Sequence, residues 1–262
     1  MTSPVMPGVV AIGDLSMHDT DPDTTDALVL DWLANPGPRA RYVCTPNVDY
    51  VVRSRANLVF RDAINSADLR VPDGMWIVYA SRLAGRPMRA SVTGRYLLPR
   101  LAAKCHETGH SMGIMGAGEG VAALAAARLR SDYPGLQVRH AISPPMGFVV
   151  GSEPDRAIVA ALKSDPVDLL YVALGAPKQE IWMREHQDEF PGVVMIGVGA
   201  GVDILAGRFR EAPRWMTRFG FEWLFRLAQE PRRLARRYLI DDPWILLWAV
   251  RTRFSAIGRS RS

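Results

Sequence analysis

Short apolar runs alternate with longer stretches of mixed apolar and polar residues from residue 9 to about residue 205. The runs at 9–12, 41–45, 68–71, 111–115, 136–141, 167–174 and 193–198 are predicted strands, most of them stopped by Gly or Pro. Helical patterns are predicted over about 23–34, 49–63, 75–84 and 94–107. Others follow Gly120 to about 131, and cover 153–163 and 178–189. Asp23 or Thr24 is the expected cap of the first helix, and Thr93 that of the fourth. The run at 167–174 is apolar apart from Asp168. Apolar strands separated by helices predict a mostly parallel sheet with helices on both faces, a Rossmann-like α/β fold. Ligands in such sheets bind beyond the carboxyl ends of the strands, and the Gly-rich and polar clusters of this chain fall there.

After about 205 the strand pattern stops. Helices are expected at 217–229, from Pro231 and from Pro243. The chain is therefore read as a Rossmann-like domain, 1–207, followed by a helical appendage, 208–262. Charge sharpens this division. Residues 208–262 hold 13 Arg and five acids, whereas the first 207 residues hold 19 basic and 22 acidic residues. Trp215, Trp223, Trp244 and Trp248 lie in the same basic segment. Arginine with tryptophan suits phosphate, an anionic membrane surface or nucleic acid. A solvated basic face is the plain alternative, because the whole chain has only three Lys.

Composition otherwise narrows the class. A chain of 262 residues that is 48% hydrophobic is globular rather than disordered or fibrous. Cys44 and Cys105 are too few for a disulfide scaffold or a Cys-rich metal site. No basic segment opens an apolar leader, and no uncharged apolar run reaches the roughly 18 residues of a spanning helix. A cytoplasmic protein is the resulting expectation.

Five segments carry candidate chemistry. Thr45-Pro46-Asn47-Val48-Asp49 closes a strand and gathers a hydroxyl, an amide and a carboxylate suited to sugar hydroxyls, although it also reads as a turn with an Asx cap. Pro72-Asp73-Gly74 can aim a carboxylate into a cleft as a general base, and is equally an ordinary turn. The loops at 116–120 and 197–201 both read G-x-G-x-G and can cradle a diphosphate on backbone N–H groups. Lys178, Gln179 and Glu180 open a helix after Gly175-Ala176-Pro177, where a lysine opposes the helix dipole. Arg226, Arg232, Arg233, Arg236 and Arg237 repel one another without an anionic partner.

Taken in order, T-P-N-V-D, V-P-D-G, V-T-G, G-A-G-E-G, L-G-A-P-K-Q-E, G-V-G-A-G-V-D-I-L-A-G, R-E-A-P-R-W and F-E-W-L-F-R-L-A-Q-E-P-R-R resemble the WecG/TagA/CpsF family, glycosyltransferase family 26. The resemblance spans about 9–237. It implies an inverting, metal-independent hexosyltransferase without a cofactor. The implied donor is a UDP-sugar of the N-acetylmannosamine or related uronic acid type. The implied acceptor is a polyprenyl-diphosphate-linked saccharide in cell-surface polysaccharide or teichoic acid synthesis. By the same resemblance Asp73 is the general base, Thr45 and Asn47 line its site, and Gln179 meets the donor sugar. Gly116, Gly118, Lys178, Glu180, Gly199 and Asp203 are expected substrate-binding residues. Arg226, Arg233 and Arg236 are expected at the diphosphate, on an appendage that closes the site and docks on the inner face of the cell membrane. Packing of its aromatic residues on the α/β core or on a second copy is the competing account.

Two positions depart from the family pattern. Ser91 stands where many relatives carry Arg, and Tyr96 where many carry Asp. Two other classes remain in view. A nicotinamide-dependent oxidoreductase would use the same scaffold but needs the G-x-G-x-x-G fingerprint that both glycine loops lack. A non-catalytic nucleotide- or polyanion-binding protein would show steep salt dependence without UDP affinity. The resemblance leaves no role for nucleic acid.

Overall fold

The computed structural model describes residues 4–209, 213, 216, 222–229, 231–236, 239 and 242–259; the side chains at 222, 226, 233, 234, 236, 242 and 254–259 fall outside the description. Six parallel strands form the central sheet: β3 (Arg41–Cys44), β4 (Leu69–Arg70), β5 (Met112–Gly116), β6 (Val138–Ile142), β7 (Leu169–Ala173) and β8 (Val194–Gly197). Their order is β4-β3-β8-β7-β5-β6. The expected Rossmann-like α/β fold is present.

Side-chain alternation divides the core between the two faces of the sheet. Leu169, Tyr171 and Ala173 join one buried cluster, with α1 (Pro22–Ala34), α5 (Gly94–Thr108) and α6 (Val121–Asp132). Leu170 and Val172 join the other, with α7 (Glu153–Ser164) and α8 (Lys178–Glu185). Every residue of β5 and β7 is buried, which is why both strands read as unbroken apolar runs.

A third cluster, beside the sheet, holds what the pattern left unread. β1 (Val9–Ile12) turns at Gly13 and pairs antiparallel with β2 (Leu15–His18), from Val9 opposite His18 to Ile12 opposite Leu15. The predicted stop at Gly13 is a hairpin turn, with Gly13 at φ +63. The predicted helix at 49–63 is two helices, α2 (Val48–Ser54) and α3 (Leu58–Asn65). Asn57 divides them, because its side chain accepts from Phe60 N–H at 3.0 Å and starts a new helix. The first helix is capped by Asp21, not by Asp23 or Thr24: its Oδ1 accepts from Thr24 N–H at 2.8 Å. α4 (Met75–Leu83) completes this cluster.

β8 is the last strand among the described residues. α9 (Gly201–Leu205), α10 (Glu222–Gln229), α11 (Pro231–Arg236) and α12 (Asp242–Arg259) follow. α12 is fastened to the third cluster through buried Ile245 and Ala249 and lies along α4. Trp244 receives the Arg55 guanidinium over its ring at 4.0 Å, and Trp248 packs against the same cluster. On α12, then, Trp248 packs on the core and Trp244 stacks on Arg55. Trp215 and Arg237 lie outside the described residues. No described helix is long and apolar enough to cross a membrane.

Candidate active site

The segments at the carboxyl ends of β3, β4 and β8 meet through hydrogen bonds. Asp73 N–H donates to Pro46 O at 2.9 Å, and Val92 N–H to Pro72 O at 2.7 Å. Thr45 Oγ1 donates to Gly197 O at 3.1 Å. These bonds tie T-P-N, P-D-G and V-T-G into one wall. Gly74 turns the chain at φ +94 and its N–H donates to Ser91 Oγ at 2.8 Å. Ser91, one of the two departures from the family pattern, therefore braces the Asp73 turn. Gly94 lets α5 approach β8 closely, since a Cβ there would stand 3.0 Å from Val198 Cα.

Asn47 and Thr93 occupy the N-cap positions of α2 and α5, but neither side chain makes a cap bond. Asn47 Oδ1 and Thr93 Oγ1 are buried and have no hydrogen-bond partner among the described residues. Local turn chemistry would have used both atoms. Asp73 is half-buried and close enough to act through space on Tyr50. Burial first, then the Glu180 charge, pushes the Tyr50 phenol well above its ordinary range, and Asp73 adds to this.

Gln179 and Glu180 lie beneath the surface. They are 1% and 0% exposed. Gln179 Nε2 donates to Glu180 Oε1 at 2.6 Å and to the Tyr50 hydroxyl oxygen at 3.1 Å. Both amide hydrogens are thereby committed inside the protein. Glu180, expected among the substrate-binding residues, is fully buried in this structure, with its carboxyl bonded to Tyr50 and Gln179.

On the other side of Gly197–Gly199 opens a cavity of about 790 Å³ beyond the ends of β5, β6, β7 and β8. Gly118, Lys178, Gly199 and Asp203 line it, as does Ala117, a non-glycine residue at φ +59. Lys178 is exposed and donates from Nζ to Phe148 O at 2.8 Å. Gly116 is not on this lining. Its reason for being glycine is contact with the next strand, because a Cβ there would lie 2.4 Å from Ala173 C. Within the first loop, then, Gly118 lines the cavity and Gly116 serves strand contact.

The model of the "Glycosyl transferase WecG/TagA/CpsF family" matches residues 10–259. The chain belongs to this family. It is 29% identical over 199 residues to a protein of Bacillus spizizenii, covering 76% of this chain and 75% of the relative. It is 28% identical over 196 residues to one of Bacillus subtilis, covering 74% and 73%, and 26% identical over 205 residues to one of Staphylococcus aureus, covering 78% of each. All three are named N-acetylglucosaminyldiphosphoundecaprenol N-acetyl-beta-D-mannosaminyltransferase.

In this glycosyltransferase the structure adds two residues that the sequence motifs did not single out. Arg208 is exposed and its Nη1 lies 3.3 Å from where a Gly118 Cβ would be, over the first glycine loop. It was visible only as one charge in a basic run. Tyr50 comes from α2, 129 positions before Gln179. No local pattern pairs them. Arg226 falls on α10, and Arg233 and Arg236 on α11; their side chains lie outside the description. The carboxylates of the 19–26 stretch are occupied structurally: Asp19 pairs with Arg89 at 3.3 Å, Asp21 caps α1, and Asp23 and Asp26 each pair with Arg100 at 2.6 Å.

Proposed function

We propose that this enzyme transfers an N-acetylmannosamine-type hexosyl group from UDP to a polyprenyl-diphosphate-linked N-acetylglucosamine, in the synthesis of a cell-wall or cell-surface polymer. The names of the relatives support the acceptor and the sugar class. The observation that carries the reading is the division of the site. A cavity with Lys178 and Arg208 at its rim lies on one side of Gly197–Gly199, and the Asp73 turn on the other.

In this reading the nucleotide occupies the cavity, with its diphosphate between Gly118, Lys178 and Arg208. Asp203 faces the ribose or base. The acceptor enters beside Thr45, Asn47 and Asp73. Its hydroxyl oxygen attacks the anomeric carbon while the Asp73 carboxylate takes the hydroxyl proton. The bond from the anomeric carbon to the phosphate oxygen breaks, UDP leaves with the electron pair, and attack from the opposite face inverts the centre. Lysine and arginine offset the charge that grows on the diphosphate. The segment after 207 supplies further arginines, among them Arg226, Arg233 and Arg236, as a lid.

A UDP-release assay over a panel of UDP-sugars, with a short-chain polyprenyl-diphosphate N-acetylglucosamine, tests the proposal. Release dependent on both substrates is expected. Release with no donor in the panel would overturn it. Arg208→Ala is expected to raise the Kd for UDP by about tenfold, the value of one charge-assisted contact, in isothermal titration. Unchanged affinity would move the diphosphate away from the first glycine loop.

The same reading places the enzyme on the inner face of the cell membrane as a peripheral protein. α12 supports it: Leu247 and Val250 are exposed on a helix that also exposes Arg251 and Arg253. Replacing Leu247 and Val250 together by Glu is expected to lower binding to phosphatidylglycerol vesicles by about tenfold in cosedimentation. Deleting the whole segment would be a poor test, because Ile245 and Ala249 belong to the core.

A further inference from the structure

The orientation of the Gln179 amide is dictated from beneath. Its Nε2 faces two acceptors, Glu180 Oε1 at 2.6 Å and the Tyr50 hydroxyl oxygen at 3.1 Å. Its Oε1 accepts from Gly175 N–H at 3.2 Å. The Tyr50 hydroxyl in turn donates to Glu180 Oε1 at 2.6 Å. Turning the amide over would set its oxygen against a carboxylate oxygen and its NH₂ against the Gly175 N–H. Both contacts would be repulsive, so an ionised Glu180 permits one orientation only. In that orientation Oε1 keeps a second lone pair, and it stands 3.9 Å from where a Gly199 Cβ would be. Gly199 lines the cavity.

We propose that Glu180 is a positioning residue whose carboxylate, acting through Gln179 and Tyr50, holds the Gln179 carbonyl oxygen toward the Gly199 rim, where its partial negative charge favours a cationic sugar at the transition state. The inference rests on the proposed function for the chemistry at that rim. The network itself stands on geometry. Two side chains, Tyr50 from α2 and Gln179 from α8, donate to one oxygen of the Glu180 carboxylate, and Glu180 Oε2 is buried with no partner among the described residues.

Burial raises the Glu180 carboxyl to about 7, against the opposing effects of the Tyr50 and Gln179 hydrogen bonds and the Arg53 charge. The titratable and charged groups facing it are Tyr50 and Arg53 on α2 and Cys44 on β3, with Tyr42 on the same side of β3; α3, which packs on α8, carries Arg61 and Asp62, and His186, Asp188 and Glu189 lie just beyond α8. β8 contributes none. Of these, only Tyr50 hydrogen-bonds the carboxyl among the described residues. The sign follows. Above about pH 7 Glu180 is ionised and the amide is held from both ends; as pH falls through about 7 the carboxyl takes a proton, its end of the constraint is lost, and only the Gly175 N–H still orders the amide.

Steady-state UDP release by the full-length enzyme across pH, for wild type, Glu180→Gln and Tyr50→Phe, tests this. The wild type is expected to lose kcat as pH falls through about 7. Glu180→Gln is expected to lower kcat about 10- to 100-fold at pH 8, leave the donor KM unchanged and abolish that acid limb. Tyr50→Phe removes a hydrogen bond that favours the ionised form, so its limb moves to higher pH. A purely structural Glu180 would instead lower Tm and leave the limb where it was. The ionised buried carboxyl costs folding stability as pH rises from the ordinary carboxylate range through about 7, so Glu180→Gln should melt no lower than wild type at pH 8. pH-difference infrared spectra supply a readout without turnover: a protonated carboxyl band that appears below about pH 7 in wild type and is missing from Glu180→Gln. A retained acid limb in Glu180→Gln, or no such band in wild type, would overturn the inference. A wild type that binds donor and shows the band but transfers nothing would overturn the proposed function instead.

Discussion

Asp73→Asn is expected to lower transfer to the lipid-linked acceptor by about 10³-fold while leaving UDP affinity unchanged. The substitution keeps the shape of the side chain and removes its capacity to take a proton. General base catalysis contributes about 10²–10⁴-fold to a reaction of this kind. Backbone N–H groups that the substitution leaves in place hold the turn: Asp73 N–H donates to Pro46 O, and Gly74 N–H to Ser91 Oγ. UDP affinity should hold because the cavity lies on the far side of Gly197–Gly199 and Asp73 does not line it. UDP release measured beside isothermal titration separates the two effects. Turnover equal to wild type would remove Asp73 from the chemistry.

The second large effect is on the fold. Gly116→Ala is expected to cost about 3 kcal/mol, or roughly 6–12 °C in Tm, and to weaken UDP binding. Gly116 ends β5 at φ +123, and an added Cβ would lie 2.4–2.7 Å from the C, O and Cα of Ala173. Those atoms belong to β7, which is paired with β5 through Gly116 opposite Ala173. Backbone cannot swing aside as a side chain can, so the two strands must part at their carboxyl ends. The cavity opens beyond that point. Gly135 provides the control. It has φ +94 and nothing within 4 Å of its Cβ position, so Gly135→Ala should cost only backbone strain, about 1 kcal/mol. Equal losses in urea unfolding would show that crowding against β7 is not the cause.

The strands and helices of the parallel sheet were legible because their signal is local. A strand buried on both faces needs an unbroken apolar run, and 169–174 supplied one over the buried strand Leu169–Ala173. Departures came where a residue type has two uses. Gly13 reads as a stop and serves as a hairpin turn. Asn57 reads as a polar position within a helix and serves as the cap of a new one. Gly116 reads as a phosphate loop and serves strand contact. Lys178, Gln179 and Glu180 are adjacent in sequence, yet the first is exposed and the other two are buried. Nothing local separates them, since a polar first helical turn ordinarily faces water.

The amino-acid order by itself determined the alternation of elements, the position of glycine and polar clusters at strand ends, the concentration of arginine after 207, and the motifs that identify the family. Each depends on neighbours within one turn or one strand, or on composition. Only the tertiary structure decided the strand order β4-β3-β8-β7-β5-β6, the meeting of the 45, 73, 91 and 197 segments, and the approach of Arg208 to the first glycine loop. It also decided that Tyr50 shares a carboxylate with Gln179 from across the chain. Such contacts are fixed by which apolar faces bury one another, and burial is a property of the whole packed chain rather than of any window along it.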